Sequence, residues 1–199
     1  KILLEDKDTK IFIDFGRSYG KQGKYFQEYI KPRKSNGLGD YIDLGMIPDI
    51  DGLYRNDLVV HSGSTSKDAD FQGILISHGH GDHVDHATFL HEDIPIYMGK
   101  TTKGILQALF EMQGRRDREI LDFKELGSTG KDAAIQRDIQ EFSSGDKFKI
   151  DSLEILPIHV DHSIPGTYGF IIYTSSGPIV YTADLRLHGM KPEMTREFI

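Results

Sequence analysis

The feature that most constrains this chain is a histidine-rich turn that directly follows a short apolar run. Residues 74–77 read Ile-Leu-Ile-Ser and predict a buried strand, and the next six residues read His-Gly-His-Gly-Asp-His. Side chains two apart on extended backbone point to the same side, so His78 and His80 are expected to converge. The intervening glycines permit the tight bend that would bring Asp82 and His83 into the same space.

The residue types in this turn are those of a metal site. Nitrogen and oxygen ligands together suit zinc or a similar borderline metal ion. A polar loop that holds histidines by chance is the alternative, and it is favoured for a single histidine but not for this spacing after an apolar strand. The chain has no cysteine, which excludes disulfides, thiolate zinc sites and a cysteine nucleophile.

A further ligand is expected from a loop near residue 160. His162 follows the apolar strand predicted at 153–158 and precedes a Pro-Gly pair, which is where a ligand-bearing loop is expected. It is predicted to join the first two histidines of the turn on one metal. His159 and Asp161 are competing ligands, or partners that orient the ligands by hydrogen bonding.

The order of these motifs resembles the metallo-β-lactamase superfamily. In that family the H-x-H-x-D-H turn is followed by a histidine in a His-Ser-x-Pro-Gly loop, matched here by His162, and by an aspartate at a strand end. The matching aspartate is Asp184, which follows the apolar strand predicted at 179–182 and could bridge two metals. The family's first motif carries an aspartate that orients the metal site, and Asp14 in Ile-Phe-Ile-Asp-Phe-Gly matches it.

Within the superfamily, segments 161–166 and 182–189 are most similar to ribonuclease J and its β-CASP relatives. The resemblance covers residues 2–189, and one departure is Ala183, where the family has glycine. It implies an α+β fold, the metallo-β-lactamase αββα sandwich, without its first strand and the C-terminal part of the domain. Residues 1–199 would then be the N-terminal portion of that domain, with the β-CASP insert expected beyond residue 199.

The resemblance also implies a cofactor. Two zinc ions are expected, with Mn²⁺ as an alternative, and such ions lie about 3.5–4 Å apart and share an attacking hydroxide. Asp82 would in addition be catalytic. One further histidine ligand of the family lies downstream, so the second ion is expected to be weakly held or absent in this chain. The implied ligands are His78, His80 and His162 for one ion, Asp82 and His83 for the other, and Asp184 between them.

The function expected from this site is hydrolysis of nucleic-acid phosphodiester bonds by a metal-bound hydroxide. RNA is the expected substrate, with DNA as an alternative, and cleavage would be endonucleolytic, 5′ exonucleolytic or both. Two divalent ions, two carboxylates and a hydroxide leave about one positive charge at the site, which attracts a phosphate. The resemblance implies a cytoplasmic enzyme that forms a homo-oligomer at full length.

Two other functions are retained. The first is a small-molecule hydrolase of the same superfamily, acting on a lactone, a thioester or a cyclic phosphodiester. The second is a protein whose metal site has become structural, and the presence of all six expected ligands argues against it. An inserted domain downstream would favour the nuclease over the small-molecule enzyme.

Composition places weaker bounds on function. The net charge of −7 gives no general indication of nucleic-acid binding. A basic stretch at 21–34, with Tyr25, Phe26 and Tyr29 among its lysines, could follow a nucleic-acid backbone, but a solvated loop is the favoured interpretation. No run of about 18 apolar residues is present, so no transmembrane helix is expected.

The remaining pattern predicts a mixed sheet covered by helices. The first apolar runs, on either side of a short charged loop, predict a hairpin over residues 2–13. The predicted helices span 25–30, 103–119 and 132–142. The other predicted strands span 58–61, 74–77, 94–98, 147–150, 153–158, 168–174 and 179–182.

Overall fold

The computed structural model describes residues 1–26, 30–59, 67–113, 119–128 and 134–199. The strands within these residues are β1 (Ile2–Asp6), β2 (Thr9–Ile13), β3 (Gly73–Ile76), β4 (Ile96–Gly99), β5 (Asp122–Lys124), β6 (Ala134–Gln136), β7 (Ile139–Phe142), β8 (Phe148–Ile150), β9 (Leu153–His159), β10 (Tyr168–Thr174) and β11 (Gly177–Tyr181). The helices are α1 (Tyr19–Tyr25), α2 (Gly39–Asp43), α3 (Asn56–Val59), α4 (Gly81–Val84), α5 (Lys100–Gln113) and α6 (Pro192–Phe198). Among the residues described, none of these helices combines the length and apolar character needed to cross a membrane.

The first sheet has the strand order β1-β2-β3-β4-β7. β1 and β2 form the predicted antiparallel hairpin, whereas β2, β3, β4 and β7 run parallel. Both faces of β3 are buried, which is why it reads as an unbroken apolar run. Ile74 and Ile76 pack in a core between this sheet and the helices. Leu75 points to the other face of the sheet, into a second core between the two sheets.

The second sheet is antiparallel, in the order β11-β10-β9-β8. Leu153 and Ile155 of β9 pack with Leu75 in the core between the two sheets. The sheet is covered in part by α6, whose Phe198 ring lies so close to Gly169 that a Cβ at residue 169 would be 2.6 Å from it. The layers are therefore helices, sheet, sheet and helix, which confirms the predicted α+β sandwich.

Strand direction brings the predicted site residues to one edge of the two sheets. β2 and β3 are parallel, so Asp14 and Ser77 leave the first sheet at the same edge. β9 and β11 are both antiparallel to β10, so they also end at one edge of the second sheet. The backbone N–H of Tyr168 donates to the carbonyl of Ser77 at 3.1 Å and joins the two edges.

The helix predicted at 132–142 is wrong. Residues 134–136 and 139–142 are strands, while residues 129–133 lie outside the described part of the chain. Ile139 pairs with Ile96 and adds β7 to the edge of the first sheet. The four-residue spacing of Ile135 and Ile139 fits a helix face, but the free edge of β4 supplies backbone hydrogen bonds that local spacing cannot reveal.

The strand predicted at 58–61 is also wrong where the structure describes it. Leu58 and Val59 end α3, and their backbone N–H groups both donate to the carbonyl of Arg55. Arg55 is held in turn by an ion pair with Asp57, which favours this local turn. His61 lies outside the described residues.

The other two predicted helices differ from the structure in their bounds. The helix expected at 25–30 occurs earlier, as α1, and Phe26 already has extended backbone. The helix expected at 103–119 begins at Lys100 and is described as far as Gln113. Residues 27–29 and 114–118, which carry the rest of these predictions, lie outside the described residues.

Candidate metal centre

The turn after β3 brings two histidine rings into contact. His78 is fully buried, and its Nε2 lies 3.0 Å from Nδ1 of His80. A Cβ at residue 81 would lie 2.6 Å from the Tyr19 hydroxyl and from Oδ2 of Asp85, so both side chains would have to shift to admit one. Gly81 therefore lets these two side chains pack directly against the ligand turn.

The loop after β2 supports this turn from behind. The backbone N–H of Phe15 donates to the carbonyl of His83 at 2.7 Å, and that of Arg17 donates to the carbonyl of Gly81 at 2.9 Å. A Cβ at Gly16 would lie 1.9 Å from the carbonyl carbon of Asp82. The two segments are thus in direct backbone contact, and the position of the ligand turn depends on the first strand pair.

His162 reaches the same place from the loop between β9 and β10. The N–H of Val160 donates to the carbonyl of Thr167 at 3.0 Å and closes the base of this loop. Nε2 of His162 then lies 3.1 Å from Nδ1 of His80. The loop therefore places its histidine against the turn after β3, 82 residues earlier in the chain.

The first group of candidate ligands is His78, His80 and His162. One nitrogen from each lies within 4.8 Å of the other two, so the group could hold a metal ion. A tetrahedral zinc ion with nitrogens at about 2.0–2.1 Å separates them by about 3.3 Å. The nitrogen separations of 3.0 and 3.1 Å in the structure are close to this value, and three imidazoles are a donor set that suits zinc.

The second group is His78, His83 and Asp184. Asp184 Oδ1 lies 3.4 Å from Nε2 of His83, and its Oδ2 lies 3.6 Å from Nε2 of His162. The carboxylate therefore faces both groups. It is directed there by Ala183, whose φ of +49° turns the chain sharply after β11.

Asp82 lies at the rim of the site. Its side chain is 49% exposed, and Oδ2 lies 3.9 Å from Nε2 of His83. It belongs to neither of the two groups found among the described residues. The structure thus places this expected ligand beside the centre, with its carboxylate open to solvent.

Asp14 lies directly behind His83. Its Oδ2 is 2.8 Å from Nδ1 of His83, and it also accepts hydrogen bonds from the N–H and hydroxyl of Ser77, each at 2.8 Å. The Tyr181 hydroxyl donates to the same carboxylate at 2.6 Å. Sequence reasoning did not identify Ser77 or Tyr181 as part of this site. Their positions at the ends of the strands that lead to the ligands are the signal that could have indicated them.

His159 and Asp161 face different surroundings. The His159 ring stacks on Tyr168, with centroids 4.2 Å apart, and its backbone N–H donates to the hydroxyl of Ser144. Asp161 is buried, and its Oδ2 accepts a hydrogen bond from Nε of Arg186 at 3.3 Å. These contacts fix the two residues in the segment that leads to His162, and neither side chain is directed at the ligand groups by them.

Comparison with known proteins identifies the family. The family described as the beta-lactamase superfamily domain matches residues 48–198, about three quarters of the chain. This chain belongs to the beta-lactamase superfamily. The match includes the ligand turn, the His162 loop and Asp184, while Asp14 precedes it.

Relatives of this β-lactamase superfamily chain include two bacterial ribonucleases. Ribonuclease J of Thermus thermophilus is 27% identical over 121 residues, and that of Sinorhizobium meliloti is 25% identical over 118 residues. The matches cover 57% and 58% of this chain but only 18% of either relative. The chain thus aligns with less than a fifth of the length of these curated relatives.

Solved structures share the fold. A protein of unknown function from Enterococcus faecalis V583 is 26% identical with a TM-score of 0.75, covering 98% of this superfamily chain and 42% of that protein. A quorum-quenching N-acyl homoserine lactone hydrolase is 17% identical with a TM-score of 0.51, covering 98% and 69%. At that identity the second likeness shows the fold alone.

Burial and neighbouring charges set the protonation of the histidines in this superfamily site. Burial lowers the pKa of His78 to about 3 and also lowers the pKa of His162. Burial acts in the same direction on His83, but its hydrogen bond to Asp14, with the charges of Asp14 and Asp184, raises its pKa above the usual value. His78 and His162 therefore carry free nitrogen lone pairs at neutral pH, which metal coordination requires.

Two further histidines of the superfamily chain have packing roles in the structure. His86 packs against the rings of Tyr41 and Phe89, with centroids 5.5 and 5.1 Å away, and these two rings also contact each other. His91 is 3% exposed, and its Nδ1 accepts a hydrogen bond from the backbone N–H of Asp93. Both rings are thus buried in packing contacts away from the ligand groups.

Proposed function

We propose that this chain carries the metal centre of a hydrolase that cleaves phosphodiester bonds in RNA. His78, His80 and His162 would hold one divalent ion, zinc or manganese. Asp82 and His83 would hold a second ion, with Asp184 between the two. The convergence of the four histidines and Asp184 from three separate chain segments supports the assignment, because unrelated surface residues rarely meet in such a donor set.

The observation that carries RNA as the substrate is the similarity to ribonuclease J from two bacteria. This similarity agrees with the resemblance of segments 161–166 and 182–189 to the same enzymes. For an enzyme of this type we infer a cytoplasmic location and attack either within an RNA chain or from its 5′ end.

The surface beside the ligand turn supports an anionic polymer as substrate. Residues 15–26 contain three basic and no acidic residues, and α1 within them has no buried residue. Tyr19 and Tyr25 are 56% and 39% exposed, and Nζ of Lys24 lies 5.3 Å from the Tyr25 ring centroid. Exposed rings beside cations can stack bases while the cations face the phosphates. Since Arg17 bonds to the backbone of Gly81, this surface begins at the metal centre.

The chain's own groups have definable tasks in this chemistry. A divalent metal, when bound, supplies Lewis acidity, which polarises a phosphoryl oxygen and lowers the pKa of a water molecule. Asp14 holds Nδ1 of His83, so that Nε2 faces the centre. The exposed carboxylate of Asp82 can accept a hydrogen bond from the attacking water at Oδ2 and orient it.

Cleavage of defined substrates tests this proposal. The purified protein, dialysed free of metal and then supplied with Zn²⁺ or Mn²⁺, should cleave a single-stranded RNA labelled at either end. Product lengths distinguish internal cleavage from 5′ exonuclease action. Asp82→Ala and His83→Ala should each lower the rate by at least about a hundredfold, since loss of orienting or ligand groups affects every turnover.

A matched control is Asp8→Ala. Asp8 is exposed in the hairpin turn at the opposite end of β2 from Asp14, so this substitution should leave the rate unchanged. Turnover of an acyl homoserine lactone or a cyclic nucleotide, with RNA and DNA both intact, would replace the proposal with the small-molecule alternative. Cleavage of DNA but not RNA would correct the substrate and retain the reaction.

A further inference from the structure

Arg186 is anchored beside the metal centre through one side of its guanidinium. It follows Asp184 by two residues, and its backbone N–H donates to the carbonyl of Asp161 at 2.9 Å. Its Nε donates to Oδ2 of the same residue at 3.3 Å. Two separate contacts therefore join the segment that carries Asp184 to the residue that precedes His162.

The anchoring residue, Asp161, is buried and hydrogen-bonded through its backbone as well. Asp161 is 6% exposed, and its backbone N–H donates to the hydroxyl of Thr195, which is fully buried, at 2.9 Å. The chain then closes over the pair at Gly189, where a Cβ would lie 1.7 Å from Oδ2 of Asp161 and 2.2 Å from Nε of Arg186. A Cβ at residue 189 would have to displace both side chains, so Gly189 lets the backbone pass close to the carboxylate and the guanidinium.

The two Nη atoms of Arg186 are open to a ligand. In the part of the chain that the structure describes, neither Nη atom of Arg186 has a hydrogen-bond acceptor, and the side chain is 28% exposed. Burial is the main cause of the lowered pKa of His162, and the positive charge of Arg186 lowers it further. Arg186 therefore lies close to the first histidine group. An arginine held at Nε, with both Nη groups open, offers the geometry that binds two oxygens of a phosphate.

We propose that Arg186 is an anion-binding residue of this metal centre, held by Asp161 through Nε and free to bind phosphate oxygens through its Nη groups. The identification of the anion as a phosphodiester of RNA rests on the proposed function. The binding of a phosphate group by Arg186 does not, because any substrate or product with such a group would meet the same donors.

The purely structural alternative is that Arg186 only ties two ligand segments together. In that case its removal would act through metal binding alone. Phosphate affinity at full metal loading separates the two roles, since a structural tie has no direct contact with the anion.

The test uses inorganic phosphate and the zinc-loaded protein. Phosphate binding is measured by calorimetry for the wild-type protein, Arg186→Gln and Arg186→Lys, with zinc content determined for each sample. Arg186→Gln should weaken phosphate binding about tenfold, as expected for loss of a charge-assisted pair, with zinc content unchanged. Arg186→Lys keeps the positive charge but loses the paired Nη donors, so its phosphate affinity should lie between those of the wild type and Arg186→Gln. Arg196→Gln, an exposed arginine of α6, should match the wild type.

Two results would overturn the proposal. One is an unchanged phosphate affinity in Arg186→Gln. The other is a loss of phosphate binding that is fully accounted for by loss of zinc. Because the measurement requires no turnover, it is independent of the RNA cleavage assay. Failure to cleave RNA would overturn the proposed function and leave the phosphate result standing.

Discussion

Oδ2 of Asp14 lies 2.8 Å from Nδ1 of His83, and this contact determines which ring nitrogen faces the candidate metal centre. With Nδ1 occupied, Nε2 is directed to Asp184, 3.4 Å away. Asp14 itself is fixed by the N–H and hydroxyl of Ser77 and by the hydroxyl of Tyr181. A residue outside the ligand groups thus links the first strand pair to the second sheet and orients a candidate ligand.

Asp14→Asn should weaken zinc binding about 10–100-fold, because an amide is a poorer partner for the imidazole N–H than a carboxylate. Competition with a chromogenic chelator measures this affinity. Asp8→Asn in the hairpin turn is the matched control and should leave it unchanged. Equal zinc affinities for Asp14→Asn and the wild type would show that Asp14 has no influence on the metal.

Ala183→Gly should stabilise the protein by about 0.5–1 kcal/mol. Ala183 has a φ of +49°, a left-handed conformation that costs a residue with a Cβ about 1–2 kcal/mol. Glycine removes that cost but loses about 0.4–1 kcal/mol through the greater freedom of the unfolded chain. Urea denaturation measures the change. Ala108→Gly, on the exposed surface of α5, should instead destabilise by about 1 kcal/mol.

Removal of metal should lower the thermal stability of the protein. A ligand that binds only the folded state stabilises it by about 2.7 kcal/mol when its free concentration is a hundred times the dissociation constant. A scan with excess chelator should therefore give a lower Tm than a scan with added zinc. The difference should disappear in His78→Ala, which removes a residue common to both ligand groups. A Tm that is insensitive to zinc in the wild type would contradict the proposed site.

The buried His86 should make the metal-free protein less stable in mild acid. Burial, with the charges of Lys1 and Arg17, lowers its pKa from 6.5 to about 3. Between these values the unfolded chain binds a proton at this residue that the folded chain does not, so stability falls as pH falls. At pH 5 this loss is about 2 kcal/mol.

His86→Phe should remove that part of the pH dependence. The ring would still pack with Tyr41 and Phe89, but it has no group to protonate. Urea denaturation at pH 7 and pH 5 should show a smaller loss of stability in His86→Phe than in the wild type. The exposed His188→Asn serves as control and should retain the full loss; an identical loss in all three proteins would count against the assignment.

Local patterns predicted most of the strands that build the framework. Alternating or continuous apolar residues over β2, β3, β9 and β10 were sufficient, because these strands bury their side chains within the two cores. The same reasoning failed for residues 134–142. Whether Ile139 belongs to a helix or a strand depends on the free edge of β4, and that edge is remote in sequence.

The sequence by itself indicated the candidate ligands, because residue type and spacing in the turn after β3 are typical of a metal site. Tertiary structure alone decided how those ligands are held. The contacts of Asp14 with Tyr181 and of Asp161 with Arg186 join residues 167 and 25 positions apart. Such contacts follow from the direction and order of packed strands, which no local periodicity encodes.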